Sequence, residues 1–125
     1  MARLLIVDDE PLFLESLGEI LQLAGYEVVP APEGETALRL ARQHAFDLAI
    51  IDIYMPKMDG LQLMQVLRRE RPELPIIAIS GRGLDVPIDE LPVARRLGAT
   101  QVFDKPVNYQ SLLEAVRTLL AGDPA

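Results

Sequence analysis

Residues 47–52 read Asp-Leu-Ala-Ile-Ile-Asp, and this stretch decides the fold class of the 125-residue chain. Four apolar residues follow one another without a polar residue between them, which is typical of a parallel strand covered on both faces. Two more short apolar runs precede this one and two follow it. The five runs predict five strands, at residues 3–7, 26–29, 47–51, 75–79 and 101–103.

The segments between these runs carry apolar residues at spacings of three and four, as amphipathic helices do. Leu17 and Leu21 belong to the first such stripe, and Gly25 follows it as the residue that can adopt the left-handed conformation at a helix end. Asn108 is the predicted N-cap of the last helix. Glycines and prolines interrupt the fourth helix, which leaves residues 91–97 for it. The pattern therefore predicts a doubly wound α/β fold with a five-stranded parallel sheet and five helices, the second at about residues 34–44 and the third at about 61–71.

Composition limits the class of protein further. The length suits one domain over residues 1–125, with a core at about 3–120 and a short C-terminal tail. The chain has no cysteine, which excludes thiol chemistry and cysteine-based zinc sites. Its net charge of -7 has the wrong sign for direct nucleic-acid binding, and no apolar stretch is long enough for membrane insertion. We expect a cytoplasmic protein.

Polar residues stand directly at or after the predicted strands, where function is expected in such a sheet. Asp8 and Asp9 follow the first strand, and Asp52 follows the third. If the strand order is 2-1-3-4-5, these three carboxylates share one pocket, although two charges about 5 Å apart repel by roughly 3 kcal/mol at an effective dielectric near 20. One lysine, Lys105, cannot neutralise them, so a hard divalent cation, Mg²⁺, is expected there. Ser80 and Lys105 would then stabilise the oxygens of a phosphoryl group on an aspartate.

These residues carry a family resemblance between about Arg3 and Leu120. The pattern comprises Val7-Asp8-Asp9-Glu10, Asp52 with Met55-Pro56 and Asp59-Gly60, Ile79-Ser80-Gly81, and Lys105-Pro106. Each piece alone is weak, but in this order they are specific. The chain resembles the receiver domains of bacterial two-component response regulators, of the stand-alone type.

The resemblance implies the flavodoxin-like strand order 2-1-3-4-5 and a set of site roles. Asp52 would accept a phosphoryl group from a histidine kinase or histidine phosphotransfer protein. Mg²⁺ would be bound by Asp9, Asp52 and the backbone carbonyl of Tyr54, and by Asp8 through a water. Lys105 and Ser80 would contact the phosphoryl oxygens, and the bond from Lys105 to Pro106 would be cis.

The resemblance also implies that the protein acts in signalling. The protein would be a phosphoacceptor that promotes its own Mg²⁺-dependent phosphorylation and dephosphorylation, not an enzyme acting on other substrates. A downstream protein target would read the conformational change, and a phosphorylation-dependent dimer stays open. Tyr54 and Arg82, each two positions beyond a site residue, are expected to modulate dephosphorylation, and their size favours a long-lived phosphoryl state.

One departure from the family pattern concerns the switch aromatic, which usually lies three residues before the lysine. This chain has Val102 there, and Phe103 follows with the opposite strand parity. The usual movement of an aromatic side chain is therefore not expected in the same form. The interrupted fourth helix is a second departure and predicts an atypical output surface.

Several alternatives stand beside the signalling interpretation. Asp8 and Asp9 could simply cap the helix that begins near Pro11. A phosphatase with an aspartyl nucleophile is disfavoured because Tyr54 stands where such an enzyme has its second acid. A flavin-binding protein is disfavoured because the acidic loop after the first strand would repel the phosphate of the flavin. A receiver-like interaction module that works without phosphorylation, or a receiver piece of a longer regulator, stays open.

Overall fold

The computed structural model of the chain describes residues 1–53, 60–80 and 98–121. Its sheet has five strands in the order β2-β1-β3-β4-β5, and every neighbouring pair is parallel. The fold class and the strand order predicted above are confirmed. The strands are β1 (Arg3–Val7), β2 (Glu27–Ala31), β3 (Leu48–Asp52), β4 (Ile76–Ser80) and β5 (Gln101–Asp104).

The described ranges contain four helices, which alternate with the strands. Asn108 caps the last of them as expected, because its side-chain oxygen accepts a hydrogen bond from the Ser111 amide at 3.1 Å. Gly25, with φ of 99°, follows the first. The predicted fourth helix at residues 91–97 and the tail at 122–125 lie outside the described residues. The four helices are α1 (Pro11–Leu23), α2 (Gly34–Gln43), α3 (Gly60–Glu70) and α4 (Tyr109–Leu120).

The second strand is longer than its apolar run suggested. It continues through Pro30 to Ala31, whereas sequence alone predicted an end at Val29. A proline cannot donate to a sheet ladder, but β2 is the outermost strand of the sheet, where one side of the backbone has no neighbour. The missing donor is tolerated at that edge.

The sheet separates two apolar cores, which explains why β1 and β3 show no polar alternation. Leu5 and Ile51 belong to the core under α2 and α3, whereas Leu4 and Ile50 belong to the core under α1 and α4. All four side chains have at most 1% of their surface exposed. Because successive residues of a strand point to opposite faces, both parities must be apolar when both faces are covered.

The parallel arrangement brings the carboxyl ends of the strands to one edge. Val7 pairs with Ile51 across β1 and β3, so the residues that follow β1 lie beside Asp52. Ser80 pairs with Asp104 across β4 and β5, so Lys105 follows directly at the same edge. Within the described ranges, no helix is both long enough and apolar enough to span a membrane.

Candidate functional site

Three aspartates form an acidic pocket at this edge of the sheet. Asp8 and Asp9 follow β1, Asp52 ends β3, and one carboxylate oxygen from each lies within 4.8 Å of those of the other two. Asp8 and Asp52 are buried, with 2% and 3% of their surface exposed, and Asp9 is exposed. The strand order predicted this convergence, and the structure brings the three acids together.

Asp8 is held by a backbone hydrogen bond to one carboxylate oxygen and by an ion pair at the other. Its Oδ1 accepts a hydrogen bond from the Glu10 amide at 2.8 Å. Its Oδ2 is buried and receives no hydrogen bond of suitable geometry from the described residues, although the Lys105 ammonium lies 2.8 Å away. Burial raises the pKa of Asp8 above its ordinary value, and the contacts with Lys105 and the Glu10 amide only partly oppose that increase.

Helix capping does not account for the acidic pair. The N-cap residue of α1 is Glu10, no side chain caps that position, and Pro11 is the first helical residue. Asp8 contacts the Glu10 amide just outside the helix, and the other oxygen of Asp8 faces Lys105. Asp8 thus contacts both the start of α1 and the lysine at the strand edge, and Asp9 lies beside the other two carboxylates, so capping alone does not explain the pair.

Lys105 is the cationic partner of the pocket. It lies directly after β5, its amide donates to the Ser80 carbonyl at 2.9 Å, and the bond to Pro106 is cis, as the resemblance implied. Its Nζ is 2.7 Å from Glu10 Oε1 and 3.6 Å from Asp52 Oδ2, in addition to the contact with Asp8. Burial lowers the pKa of Lys105, but the ion pairs with Asp8 and Glu10 outweigh burial, and the net shift is upward. The lysine is held in its charged form.

Ser80 supplies a buried hydroxyl at the same edge. It is the last residue of β4 and has no exposed surface. Its Oγ has no hydrogen-bond partner among the residues that the structure describes. A buried hydroxyl without a partner costs about 1–3 kcal/mol, which is offset where a ligand supplies the missing acceptor.

The donor set fits a magnesium ion. Mg²⁺ takes oxygen ligands, and the pocket offers three carboxylates whose oxygens lie within 4.8 Å of one another. One lysine leaves the three acids with an excess of negative charge, which a divalent cation would neutralise. The backbone carbonyl of Tyr54, expected as a further ligand, lies outside the described residues, as do Arg82, Met55, Pro56, Asp59 and Gly81.

Sequence reasoning missed three residues that shape the pocket. Glu10 forms the short ion pair with Lys105 across 95 positions of the chain, and Lys105 Nζ lies 4.1 Å from the centre of the Phe13 ring. Gly60 begins α3 so close to the end of β3 that an added Cβ would lie 2.5 Å from Ile53 Cα. Glu10 and Gly60 stand in the sequence pattern, but nothing local to them indicates what they contact.

The two residues of the switch position lie on opposite faces of β5. Val102 packs on the core under α2 and α3, and Phe103 packs on the core under α1 and α4. The opposite parity read from the sequence is therefore confirmed. Phe103 cannot replace an aromatic side chain at position 102 without a change of strand register.

Comparison with known proteins identifies the family. The response regulator receiver domain model matches residues 4–117. Protein PilH of Pseudomonas aeruginosa is 35% identical over 98% of this chain and 100% of its own length. Response regulator GtcR of Aneurinibacillus migulanus is 42% identical over 94% of this chain.

Length and structure add to the comparison. The chain spans 46% of GtcR and between 24% and 50% of six further curated relatives. A CheY-like response regulator receiver domain protein from Methanospirillum hungatei superimposes with a TM-score of 0.91 at 32% identity, covering 98% of this chain and 95% of that one. With this fold, this edge of the sheet and these relatives, the chain belongs to the response regulator receiver domain family.

Proposed function

We propose that the protein is a phosphoacceptor of a two-component phosphorelay, in which Asp52 takes a phosphoryl group from a histidine kinase or histidine phosphotransfer protein. The observation that carries the proposal is the meeting of three carboxylates and the Lys105 ammonium at one edge of the sheet. In this role the protein promotes its own phosphorylation and dephosphorylation, and a protein target reads the result.

The chemical step forms one bond and breaks one bond. A carboxylate oxygen of Asp52 attacks the phosphorus of a phosphohistidine, a P–O bond forms, and the P–N bond breaks with its electron pair moving to the imidazole nitrogen. Lys105 and the Ser80 hydroxyl then bind the phosphoryl oxygens. Ser80 Oγ supports this role, because it is buried and has no hydrogen-bond partner within residues 1–53, 60–80 and 98–121.

Asp8, Asp9 and Asp52 would hold Mg²⁺, together with the backbone carbonyl of Tyr54, and Asp8 would act mainly through a water. When bound, the cation neutralises the carboxylates and screens the incoming phosphoryl oxygens. Lys105 alone leaves the pocket negative, so uptake of the anionic group depends on that neutralisation.

Mass spectrometry after incubation with Mg²⁺ and a small acyl-phosphate donor tests the proposal. We expect the wild type to gain the mass of one phosphoryl group and the Asp52→Asn variant to gain none. Omitting Mg²⁺, with EDTA present, should also prevent the gain. A wild type that gains nothing under these conditions would contradict the proposal and favour the second candidate, an interaction module that works without phosphorylation.

The partners are a separate question with a separate experiment. A phosphotransfer screen against purified histidine kinases and phosphotransfer proteins should identify a donor that labels the wild type and not Asp52→Asn. The length of the relatives supports a further candidate, a receiver that acts as one piece of a longer regulator. Size-exclusion chromatography before and after phosphorylation tests for the dimer.

The lifetime of the phosphoryl group is expected to depend on Tyr54 and Arg82. Large side chains two positions beyond Asp52 and Ser80 would hinder in-line approach of water to the phosphorus. Tyr54→Ala and Arg82→Ala should therefore accelerate the decay of the phosphorylated protein. Equal decay rates in the variants and the wild type would remove this part of the proposal.

Phosphorylation adds about two negative charges at Asp52, to which Ser80 and Lys105 can respond. The loops after β4 and β5 would move inward as those side chains turn to the new acceptor. Pro106 directly follows Lys105 and belongs to the segment that would move. A protein target would read this change of surface.

A further inference from the structure

The Lys105 ammonium lies on the β1 side of the acidic pocket. It is 2.7 Å from Glu10 and 2.8 Å from Asp8, but 3.6 Å from the nearest oxygen of Asp52. The lysine side chain, with 11% of its surface exposed, thus has its two short contacts at the end of β1 and the start of α1. Of its three ion-pair contacts, the longest is with the proposed phosphoacceptor.

Two residues outside the set of proposed ligands hold the ammonium there. Glu10 belongs to no strand and is 60% exposed, yet it makes the shortest ion pair of Lys105. The Phe13 ring lies 4.1 Å below the ammonium, within the range of a cation–π contact, and stacks on Tyr109 at 6.4 Å. Glu10 and Phe13 occupy the N-cap and the third position of α1, so that helix presents both to the lysine.

We propose that Glu10 is a positioning residue that holds Lys105 on the β1 side of the pocket and competes for it with a phosphoryl group on Asp52. The inference rests on the proposed phosphoacceptor function. An ammonium has three donors, and here Glu10, Asp8 and Asp52 surround it. A phosphoryl oxygen must therefore attract the lysine away from an ion pair that already satisfies it.

If Glu10 competes with the phosphoryl group for Lys105, removing the Glu10 charge should strengthen the binding of a phosphoryl mimic. Glu10 is exposed, and ion pairs with an exposed partner change binding equilibria modestly, by about two- to fivefold. We expect Glu10→Gln to bind beryllium fluoride, a phosphoryl mimic, about two- to fivefold more tightly at saturating Mg²⁺. Phe13→Leu, which removes the ring without changing the charge, should shift the affinity in the same direction.

A direct readout of Lys105 is available without metal or phosphoryl donor. The chain contains only two lysines, Lys57 and Lys105, so a protein labelled with ¹⁵N-lysine has two side-chain ammonium signals, which Lys57→Arg assigns. In the metal-free wild type, the ion pairs should protect the Lys105 ammonium protons from exchange. In Glu10→Gln the signal should shift and the protons should exchange faster.

Glu19→Gln is the matched control, since it removes the same charge from an exposed position of α1 about 13 Å further along the helix. It should leave both the Lys105 signal and the affinity for beryllium fluoride unchanged. An unchanged Lys105 signal in Glu10→Gln would overturn the inference, and so would an affinity equal to that of the wild type. A wild type that binds no beryllium fluoride would instead refute the phosphoacceptor function itself.

Discussion

Replacing Gly60 by alanine tests how closely α3 approaches the phosphoacceptor strand. The added Cβ would lie 2.5 Å from Ile53 Cα, 2.8 Å from the Asp52 carbonyl carbon, and closer still to the Asp52 carbonyl oxygen. These are main-chain atoms, which cannot turn aside as the end of a flexible side chain can. The helix must therefore move away from β3, or β3 must bend.

The expected loss of stability follows from that overlap. Forcing an extra methyl group into a packed site costs about 1–3 kcal/mol, and a clash with main chain belongs at the upper end. Alanine recovers about 0.5–1 kcal/mol of that through its lower conformational entropy in the unfolded chain. We expect Gly60→Ala to lower the free energy of unfolding by about 2 kcal/mol, a large part of the stability of a typical domain.

Gly18→Ala is the matched control for this experiment. Gly18 lies inside α1, and its added Cβ would meet only Ile6 Cδ1 at 3.7 Å and Val28 Cγ1 at 3.9 Å, which are ordinary contacts. This variant should be stabilised by about 0.5–1 kcal/mol. Urea unfolding at equilibrium measures both variants, and a Gly60→Ala protein as stable as the wild type would refute the close approach on which the argument depends.

Three further changes test other contacts. Asp8→Asn should stabilise the fold by up to about 1 kcal/mol at neutral pH because it removes a buried charge, and it should weaken Mg²⁺ binding by calorimetry. Burial raises the pKa of Asp8, so the folded wild type binds a proton more readily than the unfolded chain does. The stability difference between the variant and the wild type should therefore shrink as the pH falls and vanish below pH 3.8. A stability difference that is the same at every pH would contradict this reasoning. Asn108→Ala, which removes the hydrogen bond to Ser111, should cost about 1 kcal/mol in urea unfolding, and no loss would count against the cap. The Arg68 guanidinium donates to the carbonyls of Pro72 and Gly98, both at 2.7 Å. Arg68→Lys should lower the free energy of unfolding by about 1–2 kcal/mol, because an ammonium cannot donate to both carbonyls in the same planar geometry. Thermal unfolding measures the loss, and a variant as stable as the wild type would show that these bonds contribute nothing.

Much of the fold could be predicted from local pattern. Strands β1 and β3 show it most directly, because burial on both faces requires an unbroken apolar run and such a run is visible in the sequence. The cap at Asn108 and the positive φ at Gly25 also depend on residues close in the chain. The ends of the elements were less certain, as the extension of β2 through Pro30 shows.

The acidic pocket was predictable in its members and not in its internal contacts. Asp8, Asp9 and Asp52 each follow or end a strand, and a parallel sheet must bring such residues to one edge. The short ion-pair partner of Lys105 could not be predicted, since residue type alone allows Asp52 as readily as Glu10. Only the position of α1 relative to β5 decides that Glu10 and Phe13 reach the ammonium.

The chain by itself determined where most strands and helices form, which residues stand at the strand ends and that Val102 and Phe103 lie on opposite faces of β5. Burial patterns and backbone preferences depend on a few neighbouring residues, so they can be predicted from short stretches of sequence. Tertiary structure decided the pairing of Glu10 with Lys105, the contact of α3 with the Asp52 backbone at Gly60 and the bond from Arg68 to Gly98. These contacts join segments far apart in the chain, and their distances depend on how whole helices pack on the sheet.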